Sequence, residues 1–188
     1  MAECLSQSAV APAADVLAFW RAAGPDKWFE KEAAFDDEIR RLFLATYEAA
    51  AAGRLKAWEA TAEDALALLI VLDQFPRNMF RGDARTYAAD PLARVVAARA
   101  VARGFDQKFA PAEQTFFYLP FEHSEDIADQ ERGLALFKAT GDNELIKYAQ
   151  EHADIIRRFG RFPHRNAILG RDTAPDERAF LDGGGFAG

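Results

Sequence analysis

Apolar residues recur along this chain at spacings of three and four, and clean two-residue alternation bounded by turn residues is missing, so the sequence predicts helices throughout. The first is expected from Pro12 to Ala23, with Val16, Phe19 and Trp20 on one face and Gly24-Pro25 ending it. A loop to Lys31 follows, in which Trp28 and Phe29 are expected to pack. Phe35, Ile39, Leu42, Phe43 and Tyr47 then form one stripe of an amphipathic surface helix that ends near Gly53. From Ala65 to Leu72 the chain is apolar on every side, the pattern of a helix surrounded by others. Thr61 is expected to cap that helix and Pro76 to end it.

In the second half, Asp90-Pro91 opens a helix whose buried face is Leu92, Val95 and Val96, running to Gly104. Another lies around Pro111 to Tyr118. Ser124 is expected to cap Glu125 to Ala139, with acids in the first turn and Gly141 beyond the end. Asp142 begins the next, which stops at Phe159 before Gly160 and Pro163. A short helix from Ala174 or Pro175 to Leu181 closes the series, and Gly183-Gly184-Gly185 leads out of it. The reading is one all-α domain over residues 1–188, built of stacked antiparallel helical hairpins, with about 1–11 and 183–188 flexible. Gly183 to Gly188 matches GxGxxG in form, but with no strand before it and no helix after it the match is accidental.

Composition narrows the picture. The chain has 188 residues, half of them apolar, and sixteen Phe and three Trp spread core material over its whole length. A net charge of −7 argues against nucleic acid and anionic membranes, which need a basic footprint. The single cysteine, Cys4, excludes an internal disulfide and a thiolate metal cage, and fits a reducing, cytoplasmic setting. The first residues carry Glu3 and no Lys or Arg, unlike a secretory signal, and the run Ala65 to Leu72 is far short of the roughly 20 residues that cross a bilayer.

Some polar residues break the helical pattern. His123 and Gln130 fall on the stripe of Ile127, Leu134 and Phe137, so both are expected to point inward. His152 sits in the middle of the face formed by Leu145, Tyr148, Ala149, Ile155, Ile156 and Phe159, and is predicted to be buried. A buried imidazole needs a polar partner. Asp73, Gln74, Glu122, Glu125 and Asp126 are the nearby candidates, either tying helix ends together or forming a site.

Phe75-Pro76-Arg77-Asn78 is echoed by Phe162-Pro163-His164-Arg165-Asn166, each with basic neighbours: Arg81 and Arg85 in one case, Arg157, Arg158 and Arg161 in the other. Arginines and asparagines at helix C-termini can cap carbonyls and favour the dipole. They can equally fork onto a carboxylate or phosphate in an anion pocket.

The segments LDQFPRNMFRG, FFYLPFEHSED and RRFGRFPHRN together resemble a bacterial family, domain of unknown function 924. The resemblance implies an all-α, tetratricopeptide-repeat-like right-handed superhelix with no established activity. It marks Asp73, Arg77, Asn78, Glu122, His123, Ser124, Glu125, Arg161, His164, Arg165 and Asn166 as characteristic positions. The residues themselves do not display that repeat: the separation of Phe75 from Phe162 is no multiple of about 34 residues, and W-x₂-L-G-x₂-Y is absent.

Three functions follow from these residues. A binding module would use Asp73, Arg77, Asn78, His123, Arg161, His164, Arg165 and Asn166 to hold a small anionic molecule or a peptide carboxylate. An enzyme would use His123 or His164 as acid or base beside Glu122 or Asp126. A protein-interaction scaffold would use the polar groups structurally. A metal site is unsupported, since HExxH and the Glu-x-x-His spacing of di-iron bundles are absent, and no cofactor motif is present. Nucleophilic chemistry is unsupported too, with Cys4 in the leader, no GxSxG, and Ser124 read as a cap.

Overall fold

The computed structural model describes residues 9–186, and every regular element among them is helical. Residues 1–8, with Cys4, and residues 187–188 lie outside the described residues. No helix among those described is long and apolar enough to cross a membrane. The chain packs as two compact units, one containing residues up to Arg81 together with Arg85–Phe117, the other Gly82–Ala84 with residues from Tyr118 onward.

In the first unit, α1 (Ala13–Ala23), α2 (Pro25–Trp28) and α3 (Ala33–Ala51) precede a 3₁₀ turn, Lys56–Ala60. The stripe on α3 is confirmed, with Phe35, Ile39, Phe43 and Tyr47 all buried. The stretch expected to be loop contains the short α2, whose Trp28 is buried and donates its indole N–H to the Trp20 carbonyl at 2.7 Å. Phe29, expected to pack, stacks on Phe116 with ring centres 6.2 Å apart while staying 60% exposed.

The buried rod of this unit runs through α4 (Ala62–Leu69), a π turn (Ile70–Gln74) and α5 (Phe75–Met79). Thr61 caps α4, accepting from the Asp64 N–H at 3.1 Å. Pro76 does not end the rod. A proline disrupts an α-helix because it lacks an N–H and clashes with the carbonyl four residues back. Here the preceding turn is wide, with the Phe75 N–H donating to the Ile70 carbonyl, so Pro76 falls in the first turn of a new helical segment. Trp20 anchors the core around it, edge-on to Phe75 at 5.8 Å and Phe116 at 5.6 Å. α6 (Asp90–Ala102) packs against α4, and α7 (Pro111–Glu122) passes from this unit into the second at Tyr118.

The second unit holds the end of α7, the helical hairpin α8 (Ile127–Thr140) and α9 (Asn143–Phe159), a 3₁₀ turn at Pro163–Arg165, and α10 (Pro175–Asp182). Gly141 supplies the left-handed residue that ends α8, at φ 75°, and Asp142 caps α9 by accepting from the N–H groups of Glu144 and Leu145. α8 starts later than expected. Its cap is Asp126, which accepts from Ala128, while the Ser124 hydroxyl accepts from Asp126 N–H and donates to Asp129. With that start Ile127 is 39% exposed and the inner face becomes Gln130, Gly133, Leu134 and Phe137. Gly133 sits at a close approach of two helices: a methyl there would stand 3.1 Å from Cβ of Phe121, so a small shift would be needed to admit one. On α9, Tyr148 is 46% exposed against expectation, while Ala149, His152, Ala153, Ile155 and Ile156 are buried.

Candidate functional site

The Phe75–Asn78 segment meets carboxylates within its own unit. Asp73 is buried in the π turn and accepts from Gln74 at 2.6 Å. Arg77 donates to the Asp73 carbonyl at 2.6 Å and forks onto both oxygens of Asp90 at 3.0 Å each. Burial opposes the Arg77 charge, but Asp73 and Asp90 outweigh it and hold the guanidinium more firmly protonated than usual. Asn78 donates to Asp36 at 2.8 Å, and Arg81 forks onto the same carboxylate. Asp90, read from the sequence as a helix cap, spends its side chain on Arg77.

In the second unit the Phe162–Asn166 segment is laced more densely. Arg161 forks onto Glu177 at 2.6 and 2.7 Å, and Glu177 also accepts from Asn166 and from the Ala174 N–H. The Arg161 bonds are the largest influence on Glu177, which is held down at about 2. Arg171 forks onto Glu125 at 2.7 and 3.0 Å and donates to the Asn166 side-chain oxygen. Glu125 takes the Phe162 N–H as well; burial works against its ionised form, and these bonds prevail to lower its pKa. Arg165 is buried, donates to the His123 carbonyl at 3.1 Å and stacks over Phe162. Glu177 and Arg171 were not foreseen. Glu177, the third residue of α10, accepts from the Ala174 N–H, but Ala174 is not the Ser, Thr, Asp or Asn that would announce a capping box, so the sequence carries no signal for it.

Beside this network lies a cluster of imidazoles and aromatic rings. His152 is buried, with Nδ1 2.8 Å from the Tyr148 carbonyl and 3.5 Å from Glu122, itself buried. The expected burial and hydrogen bonding of His152 are both met. His123 is half-buried, and its carbonyl accepts from Arg165. His164 stands 5.6 Å from Phe162, ring to ring, and its Nδ1 is buried with no hydrogen-bond partner among the described residues. Burial, then the charges of Arg165 and His152, push the His164 pKa down to about 3, so the ring is neutral at physiological pH. Phe186 lies edge-on to both imidazoles, 4.5 Å from His152 and 5.2 Å from His164. Among the described residues no group of three or more metal-ligating side chains is gathered.

The family model described as "Bacterial protein of unknown function (DUF924)" matches residues 16–185, which include every residue of both networks. The chain belongs to that family. Among solved structures this DUF924 protein is similar to a protein of unknown function from Agrobacterium tumefaciens, at 51% identity over 91% of this chain and 97% of that one, with a TM-score of 0.88. Curated proteins offer no match.

Proposed function

We propose that this protein is a binding module whose second unit receives a peptide or small anionic molecule through an aromatic group. One observation carries the reading: the ring of Phe186, from the chain's own tail, occupies an aromatic cage made by His152, His164 and Phe162, next to a buried ring nitrogen with no described partner. The seat is encoded in the sequence. A methyl on Gly185 would stand 2.6 Å from both the carbonyl oxygen and the ring of Phe180, so only glycine lets the tail lie there. An arriving aromatic group would replace Phe186, a ligand N–H would meet His164 Nδ1, and Arg165, next to it in the chain, supplies positive charge. Arg161, Arg171 and Asn166 act as the frame, because their donors are spent on Glu177 and Glu125. The tail is a tethered competitor with an effective concentration of order mM, so free ligand must exceed that in the wild type.

The test is titration of ¹⁵N-labelled Phe186→Ala protein with N-acetylphenylalanine while following the imidazole resonances of His152 and His164. Saturable shifts are expected, at lower ligand concentration in the variant than in the wild type. Silent imidazoles in Phe186→Ala end the reading. A cytoplasmic setting, suggested by the acidic composition and single cysteine, suits such a module. So does a tetratricopeptide-like arrangement, of which the α8–α9 hairpin would be one repeat.

A second reading, acid–base catalysis, is favoured by the pairing of Glu122 with His152 Nδ1 at 3.5 Å, which would orient the imidazole and leave Nε2 to a substrate. A screen of ester, amide and phosphate-ester substrates tests it. Turnover surviving both Glu122→Gln and His152→Gln would reject it.

A further inference from the structure

The first unit contains a half-open cavity of about 150 Å³, separate in composition from every residue discussed above as a site. Its walls are Leu55, Leu68, Leu72, Leu92 and Val96, contributed by the segment after α3, the buried rod and α6. Leu72 belongs to the π turn, and such turns concentrate at functional positions because the added residue reshapes a helix surface. A void of this volume holds a six-carbon group such as benzene.

The mouth is charged. Lys56, Glu59 and Arg99 line it, and Glu59 pairs with Arg99 at 3.2 Å. Lys56 is exposed and has no ion-pair partner among the described residues, so the mouth keeps one positive charge in excess. An apolar chamber of limited depth closed by a net cationic rim selects amphiphiles with an anionic head.

We propose that this cavity is a binding site for a small straight-chain carboxylate, its alkyl chain among the leucines and its carboxylate at Lys56. The proposal is independent of the second unit. Each buried methylene strengthens binding about fourfold until the chamber is full. Affinity therefore climbs from butanoate to hexanoate and flattens beyond about seven carbons, where the added methylenes remain in water.

The experiment is a two-dimensional NMR titration of the full chain with sodium butanoate, hexanoate and octanoate, and with hexanol and hexylamine as head-group controls. Hexanoate is expected to shift the amides of Leu55, Leu92 and Val96 saturably, and to bind more tightly than either control. Lys56→Glu, a surface change that leaves the walls intact, is expected to weaken hexanoate about fivefold and to spare hexanol. Leu92→Trp, which fills the chamber from a half-buried position, is expected to abolish both. Shifts absent from these amides, equal affinity for hexanol and hexanoate, or hexanoate binding unchanged by Lys56→Glu would each overturn the proposal, and the last holds even if Leu92→Trp fails to fold.

Discussion

Replacing His164 by Gln should make the protein less sensitive to mild acid, and the size of the effect can be worked out from the surroundings of the ring. Protonating His164 in the folded state would put a charge among Phe162, Phe186, His152, Arg165 and Arg171, against the favourable pull of Glu125. Its pKa is accordingly about 3 in the fold against 6.5 in an ordinary environment. The folded value lies below the unfolded one, so the unfolded chain takes up the proton first. The contribution of neutral His164 is fully present above pH 6.5 and is lost as pH falls toward 3. Each pH unit inside that window costs about 1.4 kcal/mol at most. From pH 6.5 to 5, before carboxylates titrate, the ceiling is roughly 2 kcal/mol, and solvent contact of the partly exposed ring reduces it to about 1 kcal/mol. Urea unfolding followed by far-UV circular dichroism at pH 7.5, 6.5, 5.5 and 5.0 measures this as the wild-type minus His164→Gln difference. The difference should be flat above pH 6.5 and should shrink below it. Two curves that fall in parallel would show that the folded protein accepts a proton on His164 and that the cage is not as closed as described.

Substitutions at two further positions probe the same unit by thermal melting. His152→Leu keeps the apolar face of α9 and loses the bond to the Tyr148 carbonyl, at a cost of about 1–2 kcal/mol, whereas His152→Asp sets a second carboxylate against buried Glu122 and should cost about 4 kcal/mol or more; equal melting temperatures for the two would contradict the placement of the ring. Gly133→Ala gains helix propensity of about 1 kcal/mol against a 3.1 Å contact with Phe121 and should stay near neutral, while Gly133→Leu overpacks the α7–α8 crossing and should cost about 3 kcal/mol. A leucine variant as stable as the wild type would mean that the two helices stand further apart.

Local periodicity carried most of the helical reading, because burial of one helix face depends on residues three and four apart. Phe35, Ile39, Phe43 and Tyr47 are buried as their spacing requires, and His152 lies within the buried face of α9. Caps with a single candidate, Thr61 and Asp142, were also legible. Where two candidates stand close, spacing alone does not choose between them: Ser124 and Asp126 can both cap, and Asp126 takes the role because the Ser124 hydroxyl is engaged with Asp126 and Asp129. Pro76 shows the limit of breaker rules, since a π turn before the proline removes the clash that would have ended the helix.

The site was less legible for a reason that sequence distance makes plain. Arg171 meets Glu125 across 46 residues, and Asn78 meets Asp36 across 42. A cluster of arginines in an acidic chain therefore reads as a surplus of positive charge when only its neighbours in sequence are visible. Folding brings distant carboxylates onto those same groups: Asp36 and Asp90 in one unit, Glu125 and Glu177 in the other. Each fork so engaged would have to give up a bidentate bond before it could hold an external anion, and that exchange gains little, since the ligand offers the same kind of bond at the added cost of its own immobilisation. His164 faces no such exchange at Nδ1, which has no described donor or acceptor to surrender. On the proposed reading, the histidine inserted into the second FP-RN segment is the group that gains a bond from an arriving ligand, and the arginines and asparagines around it serve to hold that segment in place.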